Sequence, residues 1–271
     1  MRGIVALVAT GRVAAVWRWP VKSMGGERVP AARLDAGRGV AGDRAHLLVE
    51  ADGRALTARQ APRMLRWTAA YPSAPGEALD PGHPPRPVLT GPDGTSWTWD
   101  DPALPDVLAK DLAPDPAGPR RRPAPSGSCL RRVVALERDP QGRPDLPGTV
   151  LVTTAASLAA LGHELGRPLD PRRFRPNLHL ELDAPPFAEL GWQGAVLELR
   201  GEGGRAVDVE LLGPCTRCAI PTRDPDTAER WPELLRHLIA RHGQQFGVNA
   251  KVIGHGVGAA EAEAEARVVA P

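Results

Sequence analysis

The sequence predicts a mainly β protein with some α, in the α+β class. A small N-terminal β-barrel-like domain is expected over residues 1–113, a second β-rich domain with flanking helices over 129–258, and a tail over 259–271. Three observations carry this expectation. Glycine and proline number 29 and 30 among 271 residues, about twice their usual share, which favours frequent turns and short strands over long helices. Apolar and polar residues alternate in short runs up to about residue 100. Helical spacing enters only beyond that point. At about 150 residues per domain the length suits one or two domains. A composition of 42% hydrophobic and 24% charged residues is that of a globular chain with a real core.

The elements run in this order. Residues 12–19 alternate as a strand, which Pro20 ends, and Val21-Lys22-Ser23-Met24-Gly25-Gly26 reads as a loop. Another strand is expected over 28–34. Gly37, Gly39 and Gly42 then punctuate a tight segment ending in Gly42-Asp43-Arg44. Runs 46–50 and 54–58 flank Ala51-Asp52-Gly53, a hairpin signal because Asp-Gly tolerates positive φ. Runs 87–90 and 95–99 flank Gly91-Pro92-Asp93-Gly94 as a second hairpin. So many short strands point to a small barrel or sandwich. Residues 102–112 suit a short helix. Residues 114–128, rich in Pro, Gly, Ser and Arg and containing Arg120-Arg121-Arg122, read as a solvated linker.

The second half mixes strand and helix. Strands are expected over 133–136 and 150–153, and a helix over 155–165 capped by Thr154 or Thr153. Residues 175–182 alternate most cleanly: Asn177, His179 and Glu181 on one face, Leu178, Leu180 and Leu182 on the other. His179 is expected to face solvent. Strands 195–199 and 207–212 pair. Residues 227–241 have helical spacing with Gly243 as the stop, and a last strand covers 246–253. Residues 259–267, rich in Ala and Glu, suit a short surface helix or a frayed end. No internal repeat is visible.

Charge and cysteine usage exclude several classes. A net charge of +2 gives no support to nucleic-acid binding. No window approaches 18 uncharged apolar residues, so no membrane span is expected. The apolar run from Ile4 to Ala9 is short for a secretion signal. Cys129, Cys215 and Cys218 are too few and too uneven for a disulfide scaffold, so a reducing cytoplasm is expected. Lysine is scarce: Lys22, Lys110 and Lys251 stand among 34 basic residues. A position that keeps lysine is a candidate for needing a compact ammonium.

The sharpest local feature is Gly213-Pro214-Cys215-Thr216-Arg217-Cys218, followed by Pro221-Thr222 and Asp224-Pro225-Asp226-Thr227. Two thiols flank an arginine in a proline-marked turn, and neighbouring cations favour the thiolate. Four readings stand open. The thiols are inert; they form a redox dithiol; they bind zinc with His237 and His242; or one thiolate ligates another metal. Asp224 suits a local Asx turn.

The ordered set Trp19-Pro20-Val21-Lys22-Ser23, Gly42-Asp43-Arg44, Thr57-Ala58-Arg59-Gln60, Ala156-Ser157-Leu158, Phe174-Arg175-Pro176-Asn177 and Cys215-Thr216-Arg217-Cys218 resembles the MOSC family, named for the C-terminal domain of molybdenum cofactor sulfurase. It is most similar to the subgroup with an added N-terminal β-barrel that includes amidoxime-reducing components. The resemblance implies a C-terminal MOSC β-barrel domain and a molybdenum–molybdopterin cofactor. Cys218 would be the metal ligand and the catalytic residue, with Cys215 either supporting that ligand from behind or purely structural. Lys22, Ser23, Arg44, Arg175 and Asn177 match the family's cofactor-binding positions. Arg59 and Gln60 match without an assigned role, and Cys129 matches none. Ala228 stands where many relatives have glycine.

The implied activity is reduction of a small N-hydroxylated substrate by oxygen-atom removal. The alternative is a cofactor carrier or persulfide-transfer protein without turnover. Three cysteines supply no four-cysteine iron–sulfur set. A separate electron donor is therefore expected: a ferredoxin, a flavoprotein or a b-type cytochrome.

Overall fold

A computed structural model describes residues 6–51, 53–72, 79–80, 83–113, 133–138, 148–202, 206–253 and 258–270. After one 13-residue strand, the N-terminal half is built from short strands, as its turn-rich sequence predicts. β1 (Ala6–Arg18) is followed by β2 (Glu27–Val29) and β3 (Ala31–Asp35). The single strand expected over 28–34 is divided at Pro30, which has no N–H to give a ladder. β4 (Gly39–Val40), β5 (His46–Glu50), β6 (Ala55–Leu56), β7 (Thr68–Ala70), β8 (Val88–Thr90) and β9 (Ser96–Thr98) precede α1 (Leu104–Asp111). Both predicted hairpins are present, β5 with β6 and β8 with β9. β10 (Val133–Arg138) pairs with β5. A cluster that includes Met24, Leu48, Met64, Trp67, Leu89 and Leu104 fills this unit.

The second half supplies β11 (Thr149–Thr154), α2 (Ala155–Glu164), β12 (Leu178–Leu182), β13 (Val196–Arg200) and β14 (Ala206–Thr216). α3 (Pro232–His242), β15 (Gln245–Ile253), β16 (Gly258–Glu261) and β17 (Glu265–Ala270) complete it. The strand order β12-β11-β15-β14-β13-β17-β1 closes on itself through β1 with β12, giving a seven-stranded barrel. Alternating burial along β13 and β14 sends Leu197, Leu199, Val207 and Val209 inward. β11 and β12 are parallel, so α2 and a 3-10 turn at Pro171–Phe174 carry the crossover between them. Thr154 caps α2, accepting from the Ser157 N–H at 3.3 Å. α3 starts at Pro232, later than the helical spacing from 227 predicts. Proline suits the first helical turn, and Asp224 holds the preceding residues in a turn.

Two expectations change. The sequence assigns β1 to the small N-terminal domain, yet β1 pairs with β12 and β17 and closes the large barrel. The tail over 259–271 is expected as a surface helix or frayed end, yet β16 pairs with β3 and β17 lies between β1 and β13. The Ala/Glu pattern has the spacing of a half-buried strand: Ala264, Ala266 and Val268 point inward, between exposed Glu263, Glu265 and Arg267. Barrel closure decides it, because β1 and β13 otherwise present unpaired edges. Arg120-Arg121-Arg122, Cys129 and the rest of the linker lie outside the described residues.

Ala266 has no exposed surface. Ala266→Asp should therefore cost more than about 3 kcal/mol by burying an unpaired carboxylate. Glu265→Ala, on the outer face, should change stability by less than about 0.5 kcal/mol. Urea unfolding of both variants checks whether this strand is structural.

Candidate functional site

The sequence motifs converge around one indole. Trp19 comes directly after β1 and is 1% exposed. Its backbone N–H donates to Asp43 Oδ1 at 2.9 Å, and its Nε1 donates to the Pro176 carbonyl at 2.8 Å. The Arg44 N–H donates back to the Trp19 carbonyl at 2.7 Å. The Arg175 guanidinium lies over the indole face, 4.3 Å from its centroid. Trp-Pro, Gly-Asp-Arg and Phe-Arg-Pro-Asn, remote in sequence, are thus one assembly joining the small N-terminal unit to the barrel.

Three of the predicted anchoring residues adopt left-handed backbone conformations: Ser23 (φ 71°), Arg44 (φ 52°) and Arg175 (φ 55°). Each costs about 1 kcal/mol for a non-glycine residue, and such strain gathers at functional sites. Local contacts hold them there. Gly42 (φ 76°) makes the turn before Asp43, and a Cβ on it would meet the Tyr71 ring at 2.7 Å. Arg44 donates through Nη1 to Asp43 and through Nη2 to the Arg175 carbonyl at 3.2 Å. Arg175 Nη1 donates to the Met24 carbonyl. The Lys22 N–H donates to the His46 carbonyl at 2.8 Å, which leaves the side chain half-exposed at the loop. Lys22 has no carboxylate partner among the described residues. A cation with no counterion beside a strained loop suits an anionic ligand.

The cysteine turn is built by the barrel. β14 carries ladder irregularities between Leu211 and Gly213 and between Pro214 and Thr216. Such bulges bend a strand and re-aim its end. Gln244 (φ 64°) fixes the backbone just beyond β14. Its carbonyl accepts from the Arg217 N–H at 2.8 Å, and its Nε2 donates to the Arg217 carbonyl at 2.8 Å. Arg217 is 8% exposed and donates to the Phe174 carbonyl at 2.6 Å and to Cys215 Sγ at 3.1 Å. Cys215 is half-buried, whereas Cys218 is exposed.

The cysteine turn, the Arg175 turn and the Lys22 loop stand in one row, since Phe174 binds Arg217 and Arg175 binds Met24. Ile220 also packs against the cluster that holds Val21 and Met24. A shallow hollow lined by Thr10, Gly11, Arg12, Ala155, Ala156 and Glu181 shares no residue with this row.

Other sequence expectations resolve differently. The sequence places Arg175 and Asn177, both matches to cofactor-binding positions, in one strand over residues 175–182. The strand begins only at Leu178, and Arg175 sits in a turn before it. Asn177 is fully buried; its Oδ1 accepts from the Leu151 N–H at 3.1 Å and its Nδ2 donates to the Trp17 carbonyl at 3.3 Å. It braces β1 against β11. His179, expected in solvent, is 8% exposed and lies within 2.9 Å of Thr153 Oγ1. Strand pairing on both sides of β12 covers it.

Gln60 holds its own turn, with Oε1 accepting from the Thr57 N–H at 2.8 Å. Ser157 likewise serves the fold, donating to Glu189 and accepting from the Phe187 N–H. Asp224 makes the expected Asx turn, accepting from the N–H groups of Asp226 and Thr227, and pairs with Arg173. Burial opposes ionisation of Asp224, but these bonds hold its carboxyl below the usual range. The cysteines do not join His237 and His242, which gather with Glu164 instead. Sequence reasoning misses Gln244 and Asp43 as supports; only the Gly-Asp-Arg motif points to the second, and nothing local to the first.

A barrel closed by both chain ends, with a cysteine turn at one strand end and an arginine–tryptophan clasp beside it, defines a two-part β-barrel protein. Comparison with known proteins agrees. The MOSC N-terminal beta barrel domain model matches residues 10–87 and the MOSC domain model matches residues 145–267. The chain belongs to the MOSC family. It is 27% identical over 250 residues to mitochondrial amidoxime-reducing component 1 of Mus musculus, covering 82% of this chain and 68% of the relative. Among solved structures, the YUAD protein from Bacillus subtilis aligns with a TM-score of 0.46 at 12% identity, over 99% of this chain and 100% of that one.

Burial, against a weaker pull from Glu181, lowers the His179 pKa from its ordinary value. A histidine held neutral in the folded state contributes stability above about pH 6.5 that is lost on acidification, because the unfolded chain binds the extra proton. Unfolding free energy should therefore fall as the pH is lowered from about 7.5 through the ordinary histidine range. His179→Gln should flatten part of that slope in urea titrations.

Proposed function

We propose that this protein is a molybdenum-cofactor-dependent oxidoreductase that reduces small N-hydroxylated compounds by removing oxygen. The observation that carries the reading is the exposed Cys218 thiol at the end of a bulged barrel strand, tied through Arg217, Phe174 and Arg175 to the Lys22 loop. Family membership and the likeness to an amidoxime-reducing component support it.

The residues present fit such a group. A pterin dithiolene carrying molybdenum, when bound, supplies the oxygen-atom and electron transfer. Cys218 would give the metal one soft thiolate ligand. The Lys22 ammonium and the Ser23 hydroxyl would hold the cofactor's phosphate. Arg44 and Arg175 would add fixed positive charge beside it, already oriented by Asp43 and two backbone carbonyls. Asn177 enters as the brace beneath this row. Cys215 is engaged by Arg217 and supports the turn.

Electrons would come from a separate ferredoxin, flavoprotein or b-type cytochrome. No helix among the described residues is long and apolar enough to cross a membrane. We place the protein in a reducing cytoplasm, where the paired thiols stay reduced.

Protein purified from cells that make the cofactor should contain molybdenum and pterin. Cys218→Ala should lose nearly all the metal, and Cys215→Ala much less. Lys22→Ala should lower cofactor occupancy at least about tenfold at limiting cofactor, the loss of one charge-assisted contact. With an artificial donor, the wild type should consume benzamidoxime or hydroxylaminopurine. Equal, near-zero molybdenum in wild type and Cys218→Ala would overturn the reading. Molybdenum without turnover would make the protein a carrier.

A further inference from the structure

We propose that Glu164, His237 and His242 form a binding site for one divalent transition-metal ion, with zinc the best fit to its ligands. The site is separate from the cysteine turn and independent of the function proposed above. Glu164 is the last residue of α2; His237 and His242 lie on α3, which Gly243 (φ 57°) stops directly after His242. Both imidazoles present Nε2 to the same carboxylate oxygen, His237 at 2.5 Å and His242 at 2.7 Å. One ligand atom from each of the three residues lies within 4.8 Å of the others.

This arrangement is close to a three-ligand zinc site. Zinc–nitrogen and zinc–oxygen bonds of about 2.0–2.2 Å at tetrahedral angles place ligand atoms roughly 3.3 Å apart. The two histidine–carboxylate distances need only open by less than about 1 Å to reach that spacing. Two neutral nitrogens and one carboxylate suit zinc and leave a fourth position for water. The side chains are 31%, 23% and 12% exposed for Glu164, His237 and His242, so the group is half-sheltered with an open side.

The His242 ring is also held in place, stacked on Phe187 with centroids 4.1 Å apart. Beneath lies the apolar cluster of Leu158, Leu161, Phe174, Leu234, Leu238 and Phe246. An ion here would cross-link the C-terminal ends of two helices over that cluster. The competing account is a purely polar tie, with both imidazoles donating to Glu164.

The test uses the full chain after chelator treatment. Zinc titrated by calorimetry should bind at one ion per chain, and at hundredfold excess over its dissociation constant the unfolding midpoint should rise by about 5 °C. Cobalt at the same site should give the visible bands of a tetrahedral ion without a thiolate charge-transfer band. His237→Ala and His242→Ala should weaken binding by at least about a hundredfold, and Glu164→Gln, which keeps the side-chain shape, by about tenfold. The double variant Cys215→Ala/Cys218→Ala should bind zinc as the wild type does; far-UV circular dichroism verifies that each variant is folded. No binding at roughly 100 µM zinc overturns the proposal. So does binding that survives His237→Ala but vanishes with the cysteines. Failure of the molybdenum experiment leaves these outcomes untouched, because none reads cofactor content.

Discussion

The clasp of Arg44 and Arg175 around Trp19 is the constraint on which the rest depends. It joins a small β unit, whose core is Met24, Met64 and Trp67, to a barrel whose core is Leu197, Leu199 and Val209. Val29, Ala32, Leu34 and Val40 of β2–β4 belong to the barrel's apolar cluster and Ile220 packs on the smaller one, so the polar and cation–π contacts of the clasp add to an apolar junction. Arg44 and Arg175 both sit in left-handed backbone, a conformation unfavourable for residues with a Cβ. It persists because Asp43, two carbonyls and the indole over-determine it. Asp43 is central: it accepts from the Trp19 N–H and from Arg44, which couples the exit of β1 to the glycine turn.

Barrel closure has a functional consequence. With β17 and β1 sealing the wall, β14 can carry two ladder irregularities near its end without opening an edge. Those irregularities carry the chain out of register just before Cys215 and deliver Cys218 to the surface. Gln244 then locks the departing backbone from the neighbouring strand entry. The two cysteines, chemically alike, acquire different surroundings. Buried Arg217 turns back onto half-buried Cys215, while Cys218 is exposed. An open sulfur can take a large ligand; one held by a guanidinium is already committed.

Buried polar residues elsewhere obey the same demand for backbone satisfaction. Asn177 and Ser157 lie in motifs that carry the family resemblance, yet each commits its side chain to the fold, as half-buried Gln60 also does. An amide inside a β protein has two donors and an acceptor to place, and strand ends supply orphan partners for them. Ala228, at φ 60°, is a related case. It stands at a position that favours glycine, and the chain keeps it in a turn closed by its N–H to the Asp224 carbonyl at 2.9 Å.

By itself the sequence determined the strand-rich class, both hairpins, the Thr154 cap, the Gly243 stop and the ordered motifs that place the chain in its family. These are local properties: turn chemistry, side-chain alternation and short spacings act within a few residues. Tertiary structure decided what non-local pairing controls. The Ala/Glu tail became a barrel strand because β1 and β13 needed a partner, and His179 became buried because both edges of β12 are covered. Asn177 turned into a brace, Gln244 into a lock, and His237 and His242 met Glu164 because helices far apart in sequence end side by side. Alternation says which residues share a face; only the closed barrel says what that face meets.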